Sequence, residues 1–168
     1  MVRRLGKIAG YLALALLLEA RHYQQLWWEV ILATRLKVGA IEPYGASDEV
    51  PFNVRFFAGG PDSVRGFALN RLGPVSSNDK PIGGRSLIEG SAELRFPIVG
   101  DLGGVVFVDG GNIFRDAFPS HLSLRYAVGP GVRYNTPIGP IRLDVGFIVD
   151  RRPGDNFGRV EFSIGQAF

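Results

Sequence analysis

A glycine-rich loop that contains an arginine, together with two carboxylates further along the chain, has the residue types needed for ion-pair chemistry. The loop carries what we call the latch motif, which comprises Gly59, Gly60, Val64, Arg65, Gly66 and Phe67. Glu93 and Asp109 each occupy a polar-face position of an alternating segment. This combination favours a loop folded into an interior, because a guanidinium withdrawn from water must be paired with acceptors. The alternative at this stage is an exposed arginine in a solvated turn.

No other residues form a recognisable catalytic, metal or phosphate-binding site. His22 and His121 are isolated, and no serine, histidine and acid are arranged as a catalytic triad. The glycine pair of the latch motif is not followed by the Lys-Ser/Thr of a phosphate-binding loop. Asp144, Asp150 and Asp155 lack the ordered spacing of a calcium site, so we expect solvated charges at a strand end. The sequence therefore predicts a protein that is not an enzyme, with no catalytic residues, no metal and no cofactor.

The composition indicates one ordered, glycine-rich domain. The 168 residues suffice for a single domain, and with 46% apolar residues we do not expect disorder. The 23 glycines and 11 prolines fit a sheet with tight turns and close backbone packing. The net charge of +3 is spread among interspersed acids and bases, which argues against a nucleic-acid partner. The lack of cysteine excludes disulfide scaffolds and thiolate metal sites.

From residue 85 onward, apolar and polar residues alternate with a period of two, which predicts β-strands. We expect strands over residues 85–97, 103–114, 123–136, 140–150 and 158–168. They run about 10–13 residues, whereas soluble strands usually run about 5–6 and a tilted strand needs about 9–11 to cross a bilayer. One face is apolar, and the other carries arginines, acids and glycines. Short and long connections alternate, as expected for a barrel with a periplasmic and an external end.

The first third of the chain alternates less clearly. Residues 8–23 and 27–41 are plausible strands, and a helix over 26–36 is the alternative for part of this region. The candidate interfacial aromatics are Trp27, Trp28 and Tyr44. With the connection over about 42–84, which contains the latch motif, the total is seven strands.

The basic and apolar start of the chain, residues 1–18, imitates a secretory signal. Its cleavage site is poor, and the apolar run is shorter than the roughly 20 residues that a membrane helix needs. We therefore favour a strand with alternating leucines on one face, namely Leu12, Leu14, Leu16 and Leu18.

Several motifs follow one another in a fixed order at compatible spacing. They are FFAGG at 56–60, SVRGF at 63–67, LGP at 72–74, GG at 83–84, ELRFP at 93–97, FVDGG at 107–111, the segment 129–140 followed by RLD at 142–144, and FSIGQAF at 162–168. In these motifs the chain resembles the C-terminal barrel region of the bacterial surface antigen, or outer-membrane protein assembly, superfamily. That superfamily includes BamA, TamA and the two-partner-secretion transporters. The resemblance covers about residues 8–168 and is closest to TamA-like members.

The resemblance implies an all-β fold, an antiparallel transmembrane β-barrel of outer-membrane type with sixteen strands. If the strands are counted backwards from Phe168, the chain would hold about seven C-terminal strands and the long sixth external loop, about 42–84. All 168 residues would then belong to one barrel domain, over 1–168. The family's periplasmic POTRA domains and its first nine strands are missing from this sequence. We therefore expect a fragment of a barrel rather than a barrel closed by another chain.

The resemblance also implies roles for particular residues. In the family, the sixth loop folds into the lumen, and its arginine contacts acids of nearby strands, which here means Arg65 with Asp109 and Glu93. Assembly in the family is thought to use a weak seam at the last strand. The corresponding seam-strand and C-terminal signal residues are Phe162, Ile164, Gly165 and Phe168. We expect Phe168 on the same apolar face as Phe162, and a weakening of strand pairing at the glycine.

The implied function is a non-enzymatic part of protein insertion or translocation in the bacterial outer membrane. The partners would be outer-membrane lipids, client outer-membrane or secreted proteins, and a periplasmic or inner-membrane partner subunit, with no nucleic acid. One alternative is a passive pore or a two-partner-secretion type translocator barrel. Another is a soluble β-sandwich or lipocalin-like binder, since alternation also occurs in soluble sheets.

Overall fold

The chain folds as one antiparallel sheet of seven strands that follow one another in sequence order. The computed structural model describes residues 12–44, 50–137 and 139–168. The strands are β1 (Leu12–Trp27), β2 (Val30–Tyr44), β3 (Ser86–Val99), β4 (Leu102–Phe114), β5 (Arg125–Tyr134), β6 (Ile141–Ile148) and β7 (Gly158–Ile164). In the part of the chain that the structure describes, the one helical element is a 3-10 turn at Phe52–Val54. No helix in these residues has the length and apolar character to cross a membrane.

Side chains alternate between the two faces of the sheet, as the period of two predicts. On β4, Val106 and Val108 are 47% and 52% exposed, whereas Val105, Phe107 and Asp109 are buried. We call the buried side the inner face and the other side the outer face. The outer face carries exposed leucines, valines and aromatic residues, which is the distribution of a strand wall that faces lipid.

Tight turns lie at one end of the sheet, and longer connections lie at the other. Two of the turns each contain a residue with positive φ, Trp28 at 49° and Gly100 at 54°. The longer connections span residues 45–85, 115–124 and 149–157. The first of these is long enough to fold back over the inner face, and it contains the latch motif.

One expected strand end and one alternative for the first third of the chain are wrong. β1 continues to Trp27 instead of ending near residue 23, and the helix over 26–36 is replaced by a turn and the first half of β2. The φ of Trp28 closes a tight turn there. Because β2 then forms ladders with both β1 and β3, its backbone groups are paired across the sheet, which outweighs a local preference for helix.

The last strand is shorter than predicted. β7 ends at Ile164, and Gly165 has a φ of 107°, in the left-handed region that favours glycine. The amide of Gly165 still donates to the carbonyl of Pro140 over 2.8 Å, after which residues 166–168 leave the sheet. The expected continuation of the strand to Phe168 is therefore wrong.

The predictions about the leucine face of β1 and the interfacial aromatics can be compared with the structure only where it describes their side chains. Leu14, Leu16 and Leu18 are exposed on one face of β1, while the side chain of Leu12 lies outside the described residues. Among the candidate interfacial aromatics, Trp27 and Trp28 are exposed at the β1–β2 turn. The side chain of Tyr44 and residues 1–11 of the signal-like segment lie outside the described residues.

Candidate functional site

The connection between β2 and β3 folds back against the inner face. We call its described part, residues 50–85, the latch loop. At its tip, the amide of Gly60 donates to the carbonyl of Phe67 over 2.9 Å, and the amide of Ser63 donates to the carbonyl of Gly60 over 3.2 Å. Gly59 and Gly60 have φ values of 103° and 102°, which side chains rarely permit. The glycine pair therefore makes the tight turn that presents the arginine to the wall.

Arg65 is buried, only 1% exposed, and the structure brings it to both carboxylates singled out in the sequence. Its Nε donates to Oδ2 of Asp109 over 2.7 Å, and its Nη2 donates to Oδ1 over 2.8 Å, which is a bidentate pair. Its Nη1 donates to Oε1 of Glu93 over 2.5 Å. The centre of the guanidinium lies 3.5 Å from the ring centroid of Phe107. The aromatic ring therefore covers one side of the cation.

A third carboxylate, Asp144 on β6, lies beside the arginine. Its Oδ2 is 3.5 Å from Nη1 of Arg65, and it accepts hydrogen bonds from Arg133 over 2.5 and 3.1 Å. The expectation of a solvated Asp144 is wrong, because its side chain is buried on the inner face. The residue opposite Asp144 on β5 is Gly131. A Cβ on that glycine would lie 1.9 Å from the carboxylate oxygen, so only glycine leaves room for it. The charge cluster, as we name it, consists of Arg65, Glu93, Asp109, Arg133 and Asp144.

The charges of the cluster are nearly balanced. Arg95 lies at its edge and donates to Oε2 of Glu93 over 2.8 Å, which adds a third cation to the three carboxylates. Burial alone would lower the pKa of Arg65, but the hydrogen bond and charge of Asp109 and the charges of Glu93 and Asp144 raise it above its ordinary value. Arg65 is therefore a permanent cation, and its removal would leave buried carboxylates without their main partner.

The residues just before this arginine contact three strands. Arg35 on β2 donates to the carbonyl oxygens of Asp62 and Ser63 over 2.9 and 3.3 Å. The hydroxyl of Ser63 donates to the carboxylate of Glu89 on β3, and Arg142 on β6 pairs with the carboxylate of Asp62. The tip of the latch loop is thus held by side chains of β2, β3 and β6 as well as by the charge cluster.

The rest of the latch motif packs against β5 and β6. Gly66 has a φ of 90°, and a Cβ on Gly146 of β6 would lie 2.5 Å from its amide nitrogen. The two backbones approach this closely because both residues are glycine. Phe67 lies 4.8 Å beneath the guanidinium of Arg125 and shares a buried apolar cluster with Val64.

The same Arg125 holds the connection between β6 and β7. Its Nε donates to Asp150 over 3.0 Å, and its Nη2 donates to Asp155 over 2.5 Å. Burial raises the pKa of both carboxyls, but hydrogen bonds together lower it by a larger amount, so each pKa lies below its ordinary value. Asp150 accepts from the amide of Tyr126 and from Arg125, and Asp155 accepts from Arg125 and from the amide of Arg152. Both aspartates are therefore partners of an arginine, and the expectation of free solvated charges is wrong.

The predicted seam residues do not join the charge cluster. Phe162 and Ile164 are 62% and 60% exposed on the outer face of β7, and Gly165 ends that strand. Phe168 is buried on the inner face, in contact with Ala33 of β2. The expected outward position of Phe168 is wrong, because the glycine turns the chain inward.

Several inner-face charges were missed by the sequence reasoning, although the alternation marks them. The register of the strand pairs places each of them on the same face of the sheet as Glu93 and Asp109. The missed residues are Arg35, Glu89, Arg125, Arg133, Arg142 and Asp144.

Among the described residues, no group of three potential ligands could hold a metal ion. With its carboxylates bound to arginines, the charge cluster is suited to holding the latch loop.

Comparisons with known proteins match most of the chain. A sequence profile described as the Omp85 superfamily domain matches residues 12–168. Outer membrane protein assembly factor BamA of Nitratidesulfovibrio vulgaris is 35% identical over 158 residues, covering 89% of this chain and 20% of that protein. For BamA of Neisseria meningitidis the identity is 29% over 166 residues, covering 79% and 21%. Sorting and assembly machinery component 50 homolog A of Xenopus laevis is 32% identical over 155 residues, covering 86% and 31%.

A solved structure shares the fold. The crystal structure of BamA from Haemophilus ducreyi lacking POTRA domains 1–3 matches with a TM-score of 0.75 at 22% identity, covering 89% of this chain and 34% of that one. This match confirms the predicted fold class, an all-β antiparallel segment of a barrel. The chain spans about a fifth of the length of the two bacterial relatives.

Proposed function

Because the chain belongs to the Omp85 superfamily, we propose that it is the C-terminal part of a barrel that inserts or translocates client proteins in the bacterial outer membrane without catalysing a reaction. Two of its relatives are named outer membrane protein assembly factors. Since the chain spans about a fifth of their length, the proposal assigns the other barrel strands and the POTRA domains to sequence beyond these 168 residues. The narrower assignment, a TamA-like assembly factor, rests on the sequence motifs alone.

The observation that carries the proposal is the edge of β7. Within the described residues, β7 pairs with β6 alone, so in the whole barrel that we propose it would form one side of the seam with the first strand. Such an edge can template an incoming strand by β-augmentation, which requires neither nucleophile nor cofactor. Val160, Phe162 and Ile164 are exposed beside this edge, in the orientation that lipid contact requires. Outer-membrane lipids and client strands are therefore the partners that we propose, together with a periplasmic or inner-membrane subunit.

The latch loop supports the wall behind that edge. On β6, the neighbour of β7, Asp144 contacts Arg65 and Arg142 pairs with Asp62. These contacts join the loop to the strand beside β7 and do not involve β7 itself. Removing the arginine from such a buried cluster costs about 3–5 kcal/mol, which is enough to detach the loop from the wall.

The proposal is tested in cells that carry only a full-length version of the protein with Arg65→Ala. We expect lower amounts of folded client outer-membrane proteins, measured by heat-modifiable gel mobility at matched amounts of the barrel itself. The control is Arg71→Ala, because the pair of Arg71 with Asp79 on the same loop is solvent-exposed and worth little. Normal client levels with Arg65→Ala would show that the loop arginine has no part in client assembly.

A second candidate is a passive pore or two-partner-secretion type translocator. It is supported by the inner face, whose arginines and acids are typical of a polar lumen. In that case client strands would not pair with β7, and Arg65→Ala would change ion conductance in planar bilayers while leaving client levels unchanged. The two measurements made on the same variant therefore separate the candidates.

A further inference from the structure

Arg125 begins β5 at the end of the sheet that carries the longer connections, and it lies between the latch motif and the connection that leads into β7. The centre of its guanidinium is 4.8 Å from the ring centroid of Phe67, within the range of cation–π attraction. Its Nε donates to Oδ2 of Asp150 over 3.0 Å, and its Nη2 donates to the carbonyl of Asp150 over 3.0 Å and to Oδ2 of Asp155 over 2.5 Å. The same cation therefore binds the latch motif with its face and the connection with its edge.

The two aspartates that receive this cation also fix the backbone of the connection, residues 149–157. Oδ1 of Asp150 accepts from the amide of Tyr126 over 3.0 Å, and Oδ2 of Asp155 accepts from the amide of Arg152 over 2.7 Å. The amide of Asp155 in turn donates to the carbonyl of Arg152 over 3.0 Å. Because each carboxylate joins a backbone amide to the guanidinium, the course of the connection depends on where Arg125 lies.

The position of the Phe67 ring depends on the latch loop being bound to the wall. The ring belongs to a buried apolar cluster that includes Ile148 at the end of β6. Its neighbour Gly66 lies against Gly146 of β6, where a Cβ would come within 2.5 Å of the Gly66 amide nitrogen. When the loop leaves the wall, the ring leaves with it, and water replaces it on the face of Arg125. The ion pairs of that arginine then weaken, because water screens charges more strongly than a packed ring does.

The connection that Arg125 holds leads directly into the last strand. β6 ends at Ile148 and β7 begins at Gly158, and the amide of Ile148 donates to the carbonyl of Phe157 over 3.2 Å. The order of the connection therefore sets where β7 starts to pair with β6. Every contact in this path lies among the latch loop, β5, β6 and the connection.

We propose that Arg125 is a positioning residue, through which binding of the latch motif orders the connection between β6 and β7 and so fixes the start of β7. Release of the latch loop then frees this end of the strand that we place at the seam. This role deepens the proposed function and rests on it for the part that β7 plays, whereas the coupling itself is a property of this chain. The coupling and client assembly are measured separately, so either can fail without the other.

Hydrogen exchange of the amides in residues 149–157, measured in the full-length protein in lipid vesicles, reports the order of the connection. Phe67→Leu keeps the apolar cluster filled but removes the ring that faces Arg125. We expect this variant to speed exchange about fivefold, the change produced by losing about 1 kcal/mol of cation–π attraction. Phe118→Leu removes a ring that is exposed on the connection between β4 and β5, and it should leave exchange unchanged.

A double-mutant cycle tests whether the coupling passes through the cation. Arg125→Gln should speed exchange of residues 149–157 by itself, and Phe67→Leu should then add nothing to it. Because coupling is reciprocal, Asp150→Asn combined with Asp155→Asn should speed exchange of the latch amides in residues 59–67, which serves as the test if Phe67→Leu does not fold. The proposal is overturned if Phe67→Leu leaves residues 149–157 unchanged in a folded protein, or if its effect persists beside Arg125→Gln. It is equally overturned if Asp150→Asn with Asp155→Asn leaves the exchange of residues 59–67 unchanged.

Discussion

Arg65 places a planar, permanently charged group between Glu93 and Asp109, and the geometry of its bonds is specific to arginine. The guanidinium uses Nε and Nη2 on one carboxylate and Nη1 on the other, while its face lies on the ring of Phe107. An ammonium is a point charge and cannot form this fork or lie flat on a ring. At this position the shape of the cation therefore matters as much as its charge.

Arg65→Lys should consequently fail to restore the stability that Arg65→Ala removes. We expect the alanine variant to lose about 3–5 kcal/mol of unfolding free energy and the lysine variant to lose at least about 2 kcal/mol. Urea unfolding in lipid vesicles measures both. Arg71→Lys, on an exposed pair of the same loop, should change stability by less than about 1 kcal/mol. A lysine variant as stable as the unmodified chain would contradict the bidentate role.

Asp144 provides a second test among single residues, because sequence reasoning did not select it. Asp144→Asn keeps the shape but removes the charge that Arg133 and Arg65 share. We expect a loss of about 3 kcal/mol in the same unfolding assay. Asp101→Asn, at an exposed turn, is the matched control and should be nearly neutral. Equal unfolding midpoints for the two variants would mean that Asp144 is not part of the charge cluster.

Among the elements, the latch loop lies close to β6 because glycine faces glycine. A Cβ on Gly146 would lie 2.5 Å from the amide nitrogen of Gly66, whereas a Cβ on Gly90 of β3 would meet nothing nearer than 3.9 Å. Gly146→Ala should therefore push the loop off the wall, and Gly90→Ala should not. Trypsin cleavage after the loop arginines measures this displacement. Equal cleavage rates for the two variants would show that the close approach does not position the loop.

The connection between β6 and β7 should loosen in acid. The pKa values of Asp150 and Asp155 are lower in the folded chain than in the unfolded chain, so their pairing with Arg125 stabilises the fold above an ordinary carboxyl pKa of about 3.9. That stability is lost as pH falls through the lowered values. Hydrogen exchange of residues 149–157, corrected for intrinsic rates, should show lower protection at pH 3 than at pH 6. Asp155→Asn should reduce this pH dependence, and an unchanged pH profile in this variant would contradict the role of its carboxyl.

The alternation of the sequence located the strands from β3 onward, because a two-residue period follows directly from the pleat of a strand. It could not locate the ends of β1 and β7, which depend on single backbone conformations at Trp28 and Gly165. The latch motif, Glu93 and Asp109 could be selected from the sequence. The alternation also placed Asp144 on the polar face, but its burial beside Arg65 depends on a glycine opposite it on another strand, which the pattern of one strand does not show.

For the molecule as a whole, the inner face and the outer face serve different purposes. The outer face exposes apolar side chains, whereas the inner face pairs its arginines with acids and receives the latch loop. Because the arginines and acids of the charge cluster share hydrogen-bond partners, they form one connected network. The central claim is that the latch loop is bound to the inner wall in the membrane-embedded protein.

Thiol cross-linking in native membranes tests that claim most directly. The side chains of Ser63 on the latch loop and Glu89 on β3 are hydrogen-bonded, so a short bismaleimide should join the thiols of Ser63→Cys and Glu89→Cys. Ser63→Cys with Ile88→Cys, whose position lies on the opposite face of β3, should not be joined. If the first pair is not cross-linked while each thiol reacts freely with a membrane-impermeant monofunctional maleimide, the loop is not bound to the wall and the account is wrong.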